Sequence, residues 1–136
     1  IVYEPRAMVW HHRRANLRKH LLQIANYGLH RGHFARIYPR TSLRPLYLLP
    51  SLWLLFIGFS LLAWPFPALR PPVAAGFAAY AIALAAASFD IWRRQRQFWV
   101  ALGAILFIVP THLAYGLAFL IGALAKKIDT HREDEG

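Results

Sequence analysis

The residues best equipped for chemistry crowd into one stretch, His11 to Tyr38, where five of the chain's seven histidines lie among arginines and lysines. A histidine cluster raises a metal site first. Zinc and related ions need ligands that converge, and of these spacings only His30 and His33, three apart, suit a pair on one helix. Metal binding by the five as a set is therefore disfavoured, and headgroups or solvent are the expected surroundings of these imidazoles. The cations carry a clearer message. Guanidinium groups grip phosphate and pyrophosphate through paired hydrogen bonds. Each basic side chain near an anionic leaflet is worth about 1 kcal/mol. Arg18, Lys19 and Arg36 read as membrane-surface contacts, and the arginines of the stretch as a group also suit a phosphate. Simple anchoring explains most of these charges, but it asks for neither Gln23 nor Tyr27, two uncharged polar groups set four apart.

The element that must position them is a helix. Leu17, Leu21, Ile24, Ala25, Gly28 and Leu29 recur at spacings of three, four and seven, which places them on one face. Arg13, Arg14, Arg18, Lys19, His20, His30 and Arg31 fall on the other sides. Asn16 is suited to cap its start. Gly28 and Gly32 predict a break or kink near Tyr27 to Phe34, and Pro39 and Pro45 close the region. A basic amphipathic helix ahead of a membrane span is expected to lie in the headgroup layer.

Beyond Pro45 the chain is apolar enough for lipid. It has 136 residues, 57% of them hydrophobic, with net charge +10 and no cysteine. Uninterrupted apolar runs of about twenty residues exclude an ordinary soluble core. Spans are predicted at about 46–64, 72–92 and 99–124. In the second, Ala and Gly dominate, small residues that let helices approach closely in lipid. Asp90 at its end is expected to pair with Arg93 and Arg94. Pro110-Thr111-His112 interrupts the third, which is either one kinked helix or two half-helices forming a re-entrant hairpin. His112 is expected to bond a carbonyl of a neighbouring helix. The absence of cysteine excludes disulfides and cysteine-based metal or redox sites.

Lys and Arg number nine before Pro45, one in the proline turn, three in Arg93 to Gln97 and three in the polar tail 125–136. The positive-inside bias therefore puts the N-terminal region in the cytoplasm. Three full spans, the favoured arrangement, send the tail outside; a re-entrant third segment would return Lys126 and Lys127 to the cytoplasm. A basic patch joined to membrane segments favours lipid over nucleic acid as its partner. Too little polar lining is present for a transporter.

Three motifs carry a resemblance. Pro5-Arg6-Ala7-Met8-Val9-Trp10-His11 is similar to the "P-x-A-x-V-x-H" strand of membrane-bound family-2 glycosyltransferases. Gln23-Ile24-Ala25-Asn26-Tyr27-Gly28, followed by Arg31-Gly32, resembles the family's "Q-x-x-R-Y/W-G" element and its "R-G" follow-up. Asn26 stands where many members have Arg. Thr111 to Leu120, THLAYGLAFL, resembles the "H-L-A-W/Y-G-x-G-F" ending of bacterial exopolysaccharide enzymes of the succinoglycan type.

The resemblance implies a GT-A catalytic domain (α/β) that uses a nucleotide-sugar donor and a divalent metal, Mg or Mn, with its catalytic carboxylates upstream of this sequence. An opening residue other than Met is in keeping with that expectation. Residues 1–12 would then be the extended end of the catalytic domain, 13–45 the basic amphipathic interface region, and 46–124 the transmembrane domain. The fold class expected is an all-α membrane protein with a short extended piece left over from the missing domain. His11, with His12 beside it, would approach the donor diphosphate or its metal. Gln23 and Tyr27 would line the acceptor side, with Arg13, Arg14 and Arg31 facing the phosphate of a polyprenyl-phosphate-linked acceptor. Such an enzyme would sit in the bacterial inner membrane, and this part alone would be inactive. From a different class, a non-enzymatic anchor or assembly subunit that binds anionic lipid would use the same basic helix.

Overall fold

Residues 16–127 are described by a computed structural model. The predicted extended piece at residues 1–12, with His11, His12, Arg13 and Arg14, lies outside the described residues, as does most of the tail. Among the described residues every regular element is helical. Helix α1 runs over Leu17–Ile37, the short α2 over Pro39–Ser42, α3 over Pro45–Ala63, α4 over Arg70–Gln95 and α5 over Phe98–Leu124. A single 3-10 turn, Pro67–Leu69, leads into α4. Three helices are long and apolar enough to cross a membrane. Their bounds fall within three residues of the apolar runs, because proline, arginine or lysine stands at or near the ends of each run. This is consistent with a multi-pass membrane protein.

Local signals explain where the helices begin and end. The Asn16 side chain accepts a hydrogen bond from the Arg18 amide at 2.9 Å, which satisfies one of the donors a helix start leaves open. Between α4 and α5 the chain turns at Arg96, whose φ of 56° is left-handed and whose amide bonds back to the Trp92 carbonyl. That conformation costs a non-glycine residue about 1–2 kcal/mol. Asp90 takes a 2.7 Å bond from Arg94 Nε and a 3.6 Å contact from Arg93, as its spacing predicts.

One expectation needs correction. Gly28 and Gly32 do not break α1, which is continuous over 21 residues. Both glycines are buried against α5 instead, where a side chain would collide with backbone. A Cβ on Gly28 would lie 2.7 Å from the Tyr115 carbonyl oxygen, and one on Gly32 would run into the Phe119 carbonyl. Gly122 makes the reciprocal approach from α5 to the Leu29 carbonyl. Small residues four apart on both helices, Gly28 and Gly32 facing Ala118 and Gly122, let the two backbones touch. In α4 one small residue makes a close approach: a Cβ on Gly76 would collide with the Phe56 ring of α3, while Val73 is its one buried residue among those described.

Large rings join α3 to α4. Trp53 stacks on Tyr80 with centroids 3.9 Å apart and meets Phe77 edge-on at 5.3 Å. Phe56 packs over Gly76 and against Phe77. Trp53 thus anchors the helix pair rather than an interface. Backbone chemistry ties α3 to α5: the Ser51 hydroxyl donates to the Gly116 carbonyl at 3.3 Å, and Gly116 rests on the Pro50 carbonyl. Helix α5 passes through Pro110 as one unbroken element. Proline has no amide hydrogen, so the Leu106 carbonyl loses its helical donor there.

Candidate functional site: a groove between α1, α3 and α5

The polar residues of the third apolar run form a junction. Thr111 Oγ1 lies 3.1 Å from His20 Nε2 on α1. One residue on, His112 Nδ1 lies 2.9 Å from the Tyr80 hydroxyl on α4. The expected carbonyl partner of His112 is thus replaced by a phenol, which satisfies the imidazole equally well because a hydroxyl both donates and accepts. Helix α5 places these side chains on different faces, so adjacent residues bind different neighbours. The histidines of α1 also depart from expectation. His20 meets Thr111, and His33 Nδ1 lies 3.3 Å from the Ala125 carbonyl, so both address α5 rather than solvent.

Beside this junction a groove of about 600 Å³ opens between α1, α3 and α5. It is lined by the apolar Ile24, Phe34, Leu46 and Pro50 and, interleaved with them along α1 and α3 and contributed by α5, by Tyr27, His30, Arg31, Tyr47, Thr111, His112 and Tyr115. The Arg31 guanidinium carbon lies 3.8 Å above the centre of the Tyr47 ring. A cation over an aromatic face gains about 0.5–2 kcal/mol, and its N–H groups remain available at the edges. The Tyr115 hydroxyl is buried and meets no hydrogen-bond partner among the described residues. A buried hydroxyl without a partner costs about 1–3 kcal/mol. Such a cost is recovered when a ligand supplies an acceptor.

The residues singled out in the sequence divide into three groups. Tyr27 and Arg31 line the groove. Gln23 donates to the Tyr27 hydroxyl at 3.1 Å and so orients it from outside. Arg18 and Lys19 are exposed. Arg36 is exposed too, but its guanidinium donates to the Lys126 carbonyl at 3.2 Å, clasping the end of α5. Sequence reasoning did not assign Tyr47 or Tyr115 a place in a site. The one signal for Tyr115 is its position within the THLAYG motif, and Tyr47 stands at the start of the first apolar run.

No family model, curated protein or solved structure matches the chain. The groove therefore carries the functional reading. Among the described residues no three of His, Asp and Glu converge on a point that could hold a metal ion. His30 and His33 do not act as a pair, since His33 turns to Ala125. The described residues thus do not fit a metal. They do fit an anion with a hydrocarbon tail. Arg31 supplies the charge, Tyr115 and Tyr27 supply hydroxyls, and Leu46, Pro50 and Phe34 supply a greasy wall at the start of an apolar helix.

Proposed function

We propose that this chain is the membrane part of a glycosyltransferase that moves a sugar from a nucleotide-sugar donor to a lipid-linked acceptor. In this reading α1 and α3 hold the acceptor's phosphate at the bilayer surface, and an attached catalytic domain supplies donor, metal and carboxylates. The enzyme half of the reading rests on the three motif resemblances. The acceptor half rests on one observation: Arg31 and the Tyr115 hydroxyl, unpartnered among the described residues, share a groove that is also lined by Ile24, Phe34, Leu46 and Pro50.

The chemistry is positioning. A polyprenyl phosphate is confined to the headgroup layer by its own tail, so a protein that fixes the phosphate also fixes the attached acceptor group. Holding reactants in place replaces a search in solution and can supply several kcal/mol of the barrier. Arg31 neutralises the phosphate, and Tyr27, oriented by Gln23, contacts its sugar side. The bacterial inner membrane, with the α1 side facing the cytoplasm, is the location this reading requires, because nucleotide sugars are cytoplasmic.

The exposed Arg18 and Lys19 favour a second reading, a non-enzymatic anchor or assembly subunit that holds anionic lipid by charge alone. One experiment separates the two. In the intact parent protein, Arg31→Gln and Tyr27→Ala should each lower transfer to a polyprenyl-phosphate acceptor about tenfold or more, while leaving membrane insertion intact. That loss corresponds to one charge-assisted contact. Unchanged turnover in both variants would overturn the acceptor assignment. Full activity of Arg31→Lys would show that Arg31 acts as a plain charge and not as a planar fork on the phosphate, and a parent protein that transfers no sugar at all would favour the anchor.

A further inference from the structure

We infer that α3 and α4 alone cross the membrane, and that α1 and the C-terminal half of α5 lie together in one leaflet, returning the chain's C-terminal end to the side where α3 begins. Nothing in this topology depends on the glycosyltransferase reading.

The first observation is the direction of α1 on α5. His20 meets Thr111, Gly28 meets Tyr115, Gly32 meets Phe119, His33 meets Ala125 and Arg36 meets Lys126. Both numbers rise together, so the helices run parallel and side by side for about 24 Å at 1.5 Å per residue. A helix cannot lie flat in the headgroups while its lengthwise partner crosses the bilayer. If α5 crossed, the start of α1 would be level with the middle of α5. Arg18 and Lys19, both exposed, would then face the hydrocarbon centre at about 2.5–3.5 kcal/mol each. An in-plane pair avoids that cost.

The second observation is reach. Seven residues, Tyr38 to Arg44, join α1 to α3, and four of them are the helix Pro39–Ser42. Four helical and three extended residues span about 15–20 Å, short of the roughly 30 Å of hydrocarbon. The end of α1 is therefore on the side where α3 starts. Arg36 holds Lys126 to that same end.

The third is the surface of the pair. On the flank away from Arg31, Leu17, Leu21, Leu22 and Ala25 of α1 face Leu117 and Ile121 of α5 across a groove with almost no exposed polar surface. Its occupant is the acyl chains of the leaflet in which the pair lies, because that flank continues the apolar surface of α5. Charge agrees. With α5 returning, the nine Lys and Arg before Pro45, the three near Arg93 and the three in the tail share one side. Arg70 alone is opposite, a stronger positive bias than three crossings produce.

The chain has no cysteine, so single substitutions report cleanly. Ala68→Cys, Gln97→Cys and Lys127→Cys, each at an exposed position, are reconstituted in the full chain in sealed vesicles and treated with a membrane-impermeant maleimide. Positions 97 and 127 should react from one face and position 68 from the other. Reaction of 127 with 68, or from both faces, would overturn the inference. A nitroxide on Leu22→Cys tests the groove: it should collide with oxygen and be shielded from a water-soluble nickel chelate. Shielding from both reagents would mean that protein covers the flank, and the acyl-chain assignment would fail.

Discussion

The α1–α5 contact and the α3–α4 contact solve one problem in opposite ways. Between α1 and α5 side chains are removed: Gly28, Gly32 and Gly122 bring backbone against backbone. Between α3 and α4 side chains are enlarged: Trp53, Phe56, Phe77 and Tyr80 fill the gap with rings. Lipid tails are as apolar as leucine, so neither contact gains much from excluding water. Each must win on van der Waals contact. Close approach maximises contacts along the whole length of a helix, whereas rings concentrate them at one level. The first kind fixes direction and register; the second tolerates sliding and tilt. The element that carries the cations, α1, is held by the kind that fixes register.

The comparison breaks most sharply at a single glycine. Gly122→Ala would drive a methyl group into the Leu29 carbonyl, and a backbone atom cannot rotate away. The helices must separate, at about 1–3 kcal/mol. Gly103→Ala in the same helix meets open space and should be neutral or stabilise by up to about 1 kcal/mol. Thermal unfolding of the two variants in one detergent should therefore shift in opposite directions. Equal shifts would mean that α1 does not need close approach.

Removing a ring tests the other contact. Trp53→Ala loses the Tyr80 stack and the Phe77 edge, about 2 kcal/mol at about 0.5–1.5 kcal/mol per ring pair. The loss should loosen α3 from α4 and leave α1 on α5, as read by a cross-link between His33→Cys and Ala125→Cys that forms as efficiently as without the substitution. The smallest effect is expected at the helix end, where Asp90→Asn removes an exposed pair with Arg94. Unfolding should shift by about 0.5 kcal/mol or less, and still less at high salt.

How much of this was legible in the sequence depends on how local the cause is. Asn16 as a cap and Asp90 beside two arginines involve residues within four positions, and both appear as expected. The spans follow from apolar runs ended by proline, arginine or lysine. Gly28 and Gly32 misled because their spacing fits two outcomes: alone they weaken a helix, and against a partner they let it dock. Which applies depends on Phe119 and Gly122, some ninety residues away. His112 could be read as polar and in need of a partner, but not as Tyr80's. The groove was least legible, since Arg31, Tyr47 and Tyr115 come from three helices and only their packing brings them together.

The pairing of the first helix with the last also imposes a schedule. His20 and Thr111 are 91 positions apart. At about 5–20 residues per second, α1 leaves the ribosome about 5–20 s before the turn that will cover its glycine face exists. Throughout that interval its docking edge stays open while α3 and α4 are made. Docking of α1 thus waits for the C-terminal half of α5, and a polypeptide stopped short of Gly122 would leave its cationic helix without the partner that sets its course.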